Sequence, residues 1–305
     1  MDEAFVACRL IHFASTMAAF GGSAFRLYAV EAFDPDVLVL LDARLQRLLL
    51  LASILALSSA LLFVPLVGGR MAGTGATRLD WDTLSAVLLS TNFGRVWRWR
   101  LLLSAVLVGA CCCREGPQNR KVIVILSGLL LASLALVGHA AMDEGVMKIA
   151  HTVNDGLHLL AAGLWSGGLL PLLWLVNRAR RASEIHWRLR VRAALPPFSQ
   201  MGYYAVAALA FTGMVNTLLL VGNVNALFGT PYGRLLALKI LLFLLMVAAA
   251  FINRYRLSPR LAAETATPYG LLWRSVLTEQ ALGFAIIAVV SLLGTLPPAI
   301  HTPIE

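Results

Sequence analysis

Apolar residues fall in eight long stretches, near 4–30, 43–68, 96–113, 121–140, 150–176, 199–221, 232–253 and 271–294, and most Arg, Lys and Pro lie between them. Runs of roughly 20 residues match a hydrocarbon core about 30 Å thick at 1.5 Å per helical residue. A helix also satisfies its own backbone hydrogen bonds where no water can. The pattern predicts an all-α, polytopic protein with eight transmembrane helices in a single membrane domain, 1–305. The third stretch is the shortest, because Arg98 and Arg100 leave only Leu101 to Cys113 uncharged. Snorkelling of those arginines beside Trp97 and Trp99 is expected to carry that helix to the interface. Trp81 to Leu89 reads as a short interfacial helix. The first run lacks a basic leader and a small-residue cleavage site, so it reads as a retained helix.

The stretches repeat. His12 precedes Gly21-Gly22 as His158 precedes Gly167-Gly168, and Thr91-Asn92-Phe93-Gly94-Arg95 leads to Arg100 as Thr230-Pro231-Tyr232-Gly233-Arg234 leads to Lys239. Gly138-His139 closes the fourth span much as Gly294-Thr295 closes the eighth. These matches predict two similar four-helix halves, 1–140 and 141–305, related by a pseudo-two-fold axis along the membrane normal, with His12 and His158 equivalent.

Composition agrees with a membrane solvent: 59% of residues are hydrophobic and 13% charged, against about 25% charged in soluble domains. The net charge of +9 does not point to nucleic acid, because the basic residues sit in the loops that orient membrane proteins. Arg178, Arg180, Arg181, Arg188, Arg190 and Arg192 mark one cytoplasmic loop, Arg254, Arg256 and Arg260 another, and Arg114, Arg120 and Lys121 a third. Both termini are then expected outside, on the periplasmic side. The segment 69–95, with Arg70, Arg78 and Arg95, runs against this assignment.

Five of the six histidines, His12, His139, His151, His158 and His301, fall toward the outer side of that bundle. His12, His139 and His158 lie in or at the ends of apolar stretches, where a polar ring without a partner is costly. Imidazole and thioether suit copper, so His12, His139, His158, His151, Asp155 and Met142 form the candidate metal set, with His12 and His158 sharing one buried ligand at equal depth. On the fifth span His151, Asp155 and His158 share one face. Two imidazoles at equal depth are also what haem b uses as axial ligands, which makes a membrane cytochrome the alternative. An interhelical hydrogen bond is the competing use of any one ring. Lys239 and Glu279 are ionisable groups within the seventh and eighth spans and are expected to pair structurally, or to couple ions. Met17, Met214 and Met246 read as packing, and Cys8 as a small buried hydrophobe. Cys111, Cys112 and Cys113 are consecutive, so a helix splays them about 100° apart rather than onto one chelating face. No nucleotide-binding loop, HExxH, CxxC or serine elbow is present, so the chain does not read as an enzyme.

The stretch from Asp155 through His158 and Trp165 to Gly168, Gly138-His139-Ala140, Tyr232-Gly233-Arg234 with Lys239, Asn253 to Pro259, and Glu279 with Leu293 to Pro298 together resemble the copper resistance protein D (CopD) family. The resemblance covers most of the chain. It implies a bacterial inner-membrane protein of eight helices that moves copper from periplasm to cytoplasm, beside a periplasmic copper-binding protein of the CopC type; a non-transporting membrane partner that docks such a carrier is the other alternative.

Overall fold

A computed structural model describes residues 3–29, 35–73, 81–113, 116–138, 144–181, 185–262 and 267–302. Among them the chain is helical, without strands. Helix α1 spans Glu3–Ala29, α2 Pro35–Ala72, α3 Trp81–Ser90, α4 Asn92–Cys112 and α5 Pro117–Ala132. In the rest of the chain α6 spans Gly145–Ala162, α7 Gly168–Arg181, α8 Ile185–Leu220, α9 Val224–Gly229, α10 Pro231–Ile252 and α11 Thr267–Leu293. A π-helical turn, Gly163–Gly167, joins α6 to α7, and another, Asn253–Leu257, follows α10. Such turns insert one residue into the ladder and often mark functional positions.

Seven helical segments are long and apolar enough to cross a membrane. The stretch that falls short is α4, whose first half carries Arg95, Arg98 and Arg100. The interfacial segment expected from Trp81 is α3. The main departure is α8: the Arg188, Arg190 and Arg192 stretch expected as loop forms its first turns. Trp187, Val191, Ala194, Leu195 and Phe198 recur at helical spacing and are all buried in the largest apolar cluster, with Trp165, Leu169, Leu172 and Tyr269. That stripe outweighs the Arg-rich and Pro196-Pro197 signals, which suggest a loop when read along the chain alone.

Helix α1 is the axle of the bundle and packs against α2, α5, α6, α7, α8 and α11. Its crossing with the first π-helical turn is reciprocal. A Cβ added at Gly21 would overlap the Gly163 carbonyl and the Gly167 backbone, and one added at Gly167 would overlap the Met17 carbonyl and Gly21. Only glycine permits backbones this close. At one end of α1, Arg26 pairs with Asp42 of α2, which also takes Arg120 of α5 at 3.0 Å.

Two helix starts are built alike. The Thr91 hydroxyl caps α4 at Gly94 N–H (2.9 Å) while donating to Val87 C=O, and Thr230 caps α10 at Gly233 N–H (3.0 Å) while donating to Ala226 C=O. Gly94 and Gly233 each lie against the last carbonyls of the short helix before them.

Overpacking a close crossing typically costs about 1–3 kcal/mol. Gly21→Ala and Gly167→Ala are therefore expected to lower the thermal midpoint of the detergent-solubilised protein. Gly109→Ala, where an added Cβ meets nothing within 4 Å, is expected to leave it level or raise it, as alanine does in an open helix position.

Candidate functional site

His12 stands 1% exposed between α1, α2 and α4. Its Nδ1 lies 2.9 Å from Ser59 Oγ, and its Nε2 meets an Arg100 guanidinium nitrogen. Donor inventory fixes the tautomer. Guanidinium only donates, so Nε2 accepts. Ser59 spends its proton on Leu55 C=O at 2.6 Å, so its oxygen accepts from Nδ1–H. Both ring nitrogens are thus engaged in the neutral imidazole. Arg100 is fully buried rather than snorkelled to the interface as expected; it also donates to Leu130 C=O (2.7 Å) and the Ser133 hydroxyl and lies over the Trp97 ring. Phe63, Phe93 and Trp97 stack around the group, with Phe93 and Trp97 centroids 4.8 Å apart. Cys8, one turn before His12, donates to Ser59 C=O at 3.3 Å.

A second constellation has the same plan with different occupants. His158 Nδ1 lies 2.8 Å from Thr212 Oγ1, and Thr212 donates to Ala208 C=O at 2.6 Å. By the same inventory Nδ1 carries the proton and Nε2 keeps its lone pair. Asn154, one turn before His158, donates to Thr212 C=O at 3.1 Å. Asn154 also donates to Asn216 Oδ1, and Asn216 in turn donates to Asp155 Oδ1, each at 2.6 Å. His151, 2% exposed, places Nε2 3.8 Å from Asp155 Oδ2. Lys239 of α10 lies within electrostatic range of both His158 and Asp155.

The two constellations differ in what fills the next space. Around His12 it is closed by the aromatic stack and Arg100. Beside His158 a cavity of about 510 Å³ opens between α8 and α10, with α1, α6 and α11 behind it. His158, Lys239, Thr217 and Ser166 supply its polar lining, and Phe13, Met17, Met214, Met246 and Phe243 are among its apolar walls. His158 Nε2 accepts no hydrogen bond from a described residue, and a lone pair there is a ligand for a soft or borderline cation.

The structure brings His151 and Asp155 together, 3.8 Å apart across one turn of α6, and sets His158 on Thr212, linked to Asp155 through Asn154 and Asn216. It does not bring His12 and His158 to one ligand. His12 is absent from the cavity lining while its neighbour Phe13 is in it, because consecutive positions on α1 point about 100° apart. Nothing in this arrangement favours the haem alternative, which needs both rings on one iron. His139 and Met142 lie outside the described residues, as does the side chain of His301. Among the described residues no three His, Cys, Asp or Glu side chains are grouped as a metal cage.

Lys239 and Glu279 do not form the expected pair. Glu279, 3% exposed, takes a hydrogen bond from Asn253. Since α10 and α11 run antiparallel with Asn253 against Glu279, Lys239 lies about 20 Å away along α10 by helical rise. Residues that the sequence left without a role, Ser59, Thr212, Asn154 and Asn216, hold the imidazoles in place. Hydroxyls or amides within apolar runs were the available signal. Cys111 is buried at the end of α4, and Cys112 and Cys113 are exposed.

Comparison with known proteins follows this geometry. The family description "Copper resistance protein D-like, N-terminal domain" matches residues 1–149, and "Copper resistance protein D" matches 192–293. The chain is 35% identical to "Inner membrane protein YebZ" of Escherichia coli (strain K12), over 96% of this chain and 98% of that protein. It is 30% identical to "Copper resistance protein D" of Pseudomonas syringae pv. tomato, over 97% of each. It is also 28% identical to "Copper transport protein CutJ" of Bacillus subtilis (strain 168), over 82% of this chain and 46% of that protein. No solved structure matches the chain.

Removing Arg100 leaves His12 Nε2, Leu130 C=O and the Ser133 hydroxyl short of a donor, and each buried polar group so stranded costs about 1–3 kcal/mol. Arg100→Met is expected to lower the thermal midpoint in detergent well below that of Lys239→Met, whose ammonium faces a cavity instead.

Proposed function

The chain belongs to the copper resistance protein D family, and from that premise we propose that it carries copper across the bacterial inner membrane, from periplasm to cytoplasm, through the His158 cavity. The observation that carries the reading is His158 in the lining of the cavity between α8 and α10, held through Nδ1 by Thr212 and with no hydrogen bond to Nε2 from a described residue. His151 and Asp155, less than two turns toward the start of α6, provide the outer step at which copper is received, and His139 and Met142 extend that step. A periplasmic copper-binding protein of the CopC type is the natural donor. His12 serves as the structural counterpart of His158, with Arg100 in the place that cargo would take. The names of two relatives, a copper resistance protein and a copper transport protein, agree with this cargo.

The architecture belongs to the same reading: eight spans, counting α4, in two four-helix halves about an axis along the membrane normal, with both termini periplasmic. Four matched sets of contacts support it. They are the reciprocal Gly21–Gly167 crossing, the Thr91 and Thr230 caps, the Ser59 and Thr212 bonds to the two imidazoles, and the Cys8 and Asn154 bonds to the next carbonyl. Four spans per half give both halves the same orientation.

Copper bound per chain and copper uptake into proteoliposomes test the reading. His158→Ala is expected to lower affinity and flux at least about tenfold, as loss of metal-site groups generally does. His12→Ala is expected to keep copper affinity while losing thermal stability. Wild-type binding and flux in His158→Ala would refute the assignment.

A further inference from the structure

The cavity beside His158 extends inward past two thioethers from different helices. Met17 of α1, 7% exposed, and Met246 of α10, 3% exposed, both line it. Each lies at the level of the π-helical turn Gly163–Gly167. Met17 is in backbone contact with Gly167, and a Cβ built on Gly283 would lie 3.0 Å from Ser166 Oγ and 3.6 Å from Met246 Cε. Met246 follows Lys239 by seven residues on α10, which places it about 10 Å farther along the membrane normal. Met214 lines the outer part of the cavity, next to Gly213, where a built Cβ would lie 3.5 Å from His158 Cε1.

Trp165 is the floor. Its ring lines this cavity and also a smaller one of about 120 Å³ on its other side, where Glu279 and Asn253 supply polar groups. A cation moving from His158 toward that second space thus passes the level that the two methionines share with the indole.

The donor set decides what could stop there. No carboxylate lines the larger cavity, so a hard divalent ion finds neither the oxygens nor the negative charge it requires. Thioether sulfur is neutral, polarisable and matched to Cu(I). Resting on the copper reading above, we propose that Met17 and Met246 form a second, deeper binding step for a soft monovalent cation, Cu(I), with Ag(I) as its chemical mimic, beyond His158 at the level of Trp165. Sequence spacing hides this step, because the two sulfurs reach one space only through the α1 crossing and the α10–α11 hairpin.

The test is copper-edge X-ray absorption on the full-length, selenomethionine-labelled protein in detergent, loaded with Cu(I), since selenium scattering separates methionine from the cysteine thiols. Wild type is expected to show copper–selenium scattering, and the Met17→Leu/Met246→Leu double variant to lose it and to transport copper at least about tenfold more slowly. Leucine conserves volume, so its thermal midpoint is expected to stay near wild type. The double variant is also expected to retain the copper that His158→Ala removes. Absence of selenium scattering in wild type, or its persistence undiminished in the double variant, would overturn the deeper step while His158-dependent binding left the copper reading standing. Failure of the wild type to bind Cu(I) at all would overturn both.

Discussion

A polar ring inside a lipid-embedded bundle must have its nitrogens accounted for, and that constraint organises this protein. Each of two imidazoles donates from Nδ1 to a hydroxyl that has already given its own proton to the carbonyl one turn back. The hydroxyl therefore has only an acceptor to offer, and the ring has only one tautomer to take. Side-chain orientation follows from this closed exchange, and so does the position of the remaining lone pair. Around His12 that lone pair is filled by Arg100. Around His158 it is presented to a cavity. One local rule, applied twice, yields a closed network on one side of α1 and a receptive one on the other.

Close helix crossing sets where these networks stand. At Gly21 and Gly167 the backbones of α1 and the π-helical turn touch without intervening side chains. Helix α1 can then present His12 to α2 and α4, and Phe13 and Met17 to α6, α8, α10 and α11. Small residues do this in membranes because lipid gives no hydrophobic drive for helices to associate, and van der Waals contact must supply it. The same crossing puts Trp165 between two cavities. In the smaller of the two, Glu279 accepts from Asn253 at the start of the second π-helical turn.

Much of this was legible in the sequence. The long apolar runs gave seven helices able to cross a membrane, the Thr-x-x-Gly repeat marked two segments that are built alike, and helical periodicity put His151 beside Asp155. Beyond the α8 start and the Lys239–Glu279 pair, three things were not legible, each for a physical reason. Equal depth of His12 and His158 was mistaken for convergence, because depth depends on residue count alone whereas facing depends on rotation about α1 and on its neighbours. Arg100 looked like an interfacial snorkel because nothing local reveals the carbonyl, hydroxyl and imidazole acceptors that distant helices bring to it. Met17 and Met246 pack in apolar clusters as expected, but that they share a cavity with Met214 was hidden, because a space formed by three helices has no signature along any one of them.

Arg100 stands nine residues after the Thr91 cap and Lys239 nine after the Thr230 cap, and the two cations differ in chemistry. A guanidinium is a rigid planar fork with five donors, suited to knitting fixed acceptors together, and Arg100 uses it on three. An ammonium is a compact charge on a flexible stem, able to move along a cavity wall. The surrounding residues change in the same direction. Where α4 and α2 present Phe93, Trp97 and Phe63 in a stack, α10 and α8 present Tyr232, Leu236 and Asn216 at the positions matched by the two caps and the two imidazole-bound hydroxyls. Removing the stack opens the space, and replacing the fork by a mobile charge leaves the imidazole lone pair available. The closed surroundings of His12 and the cavity beside His158 thus differ by a handful of side chains at matched spacings from the two caps and the two hydroxyls.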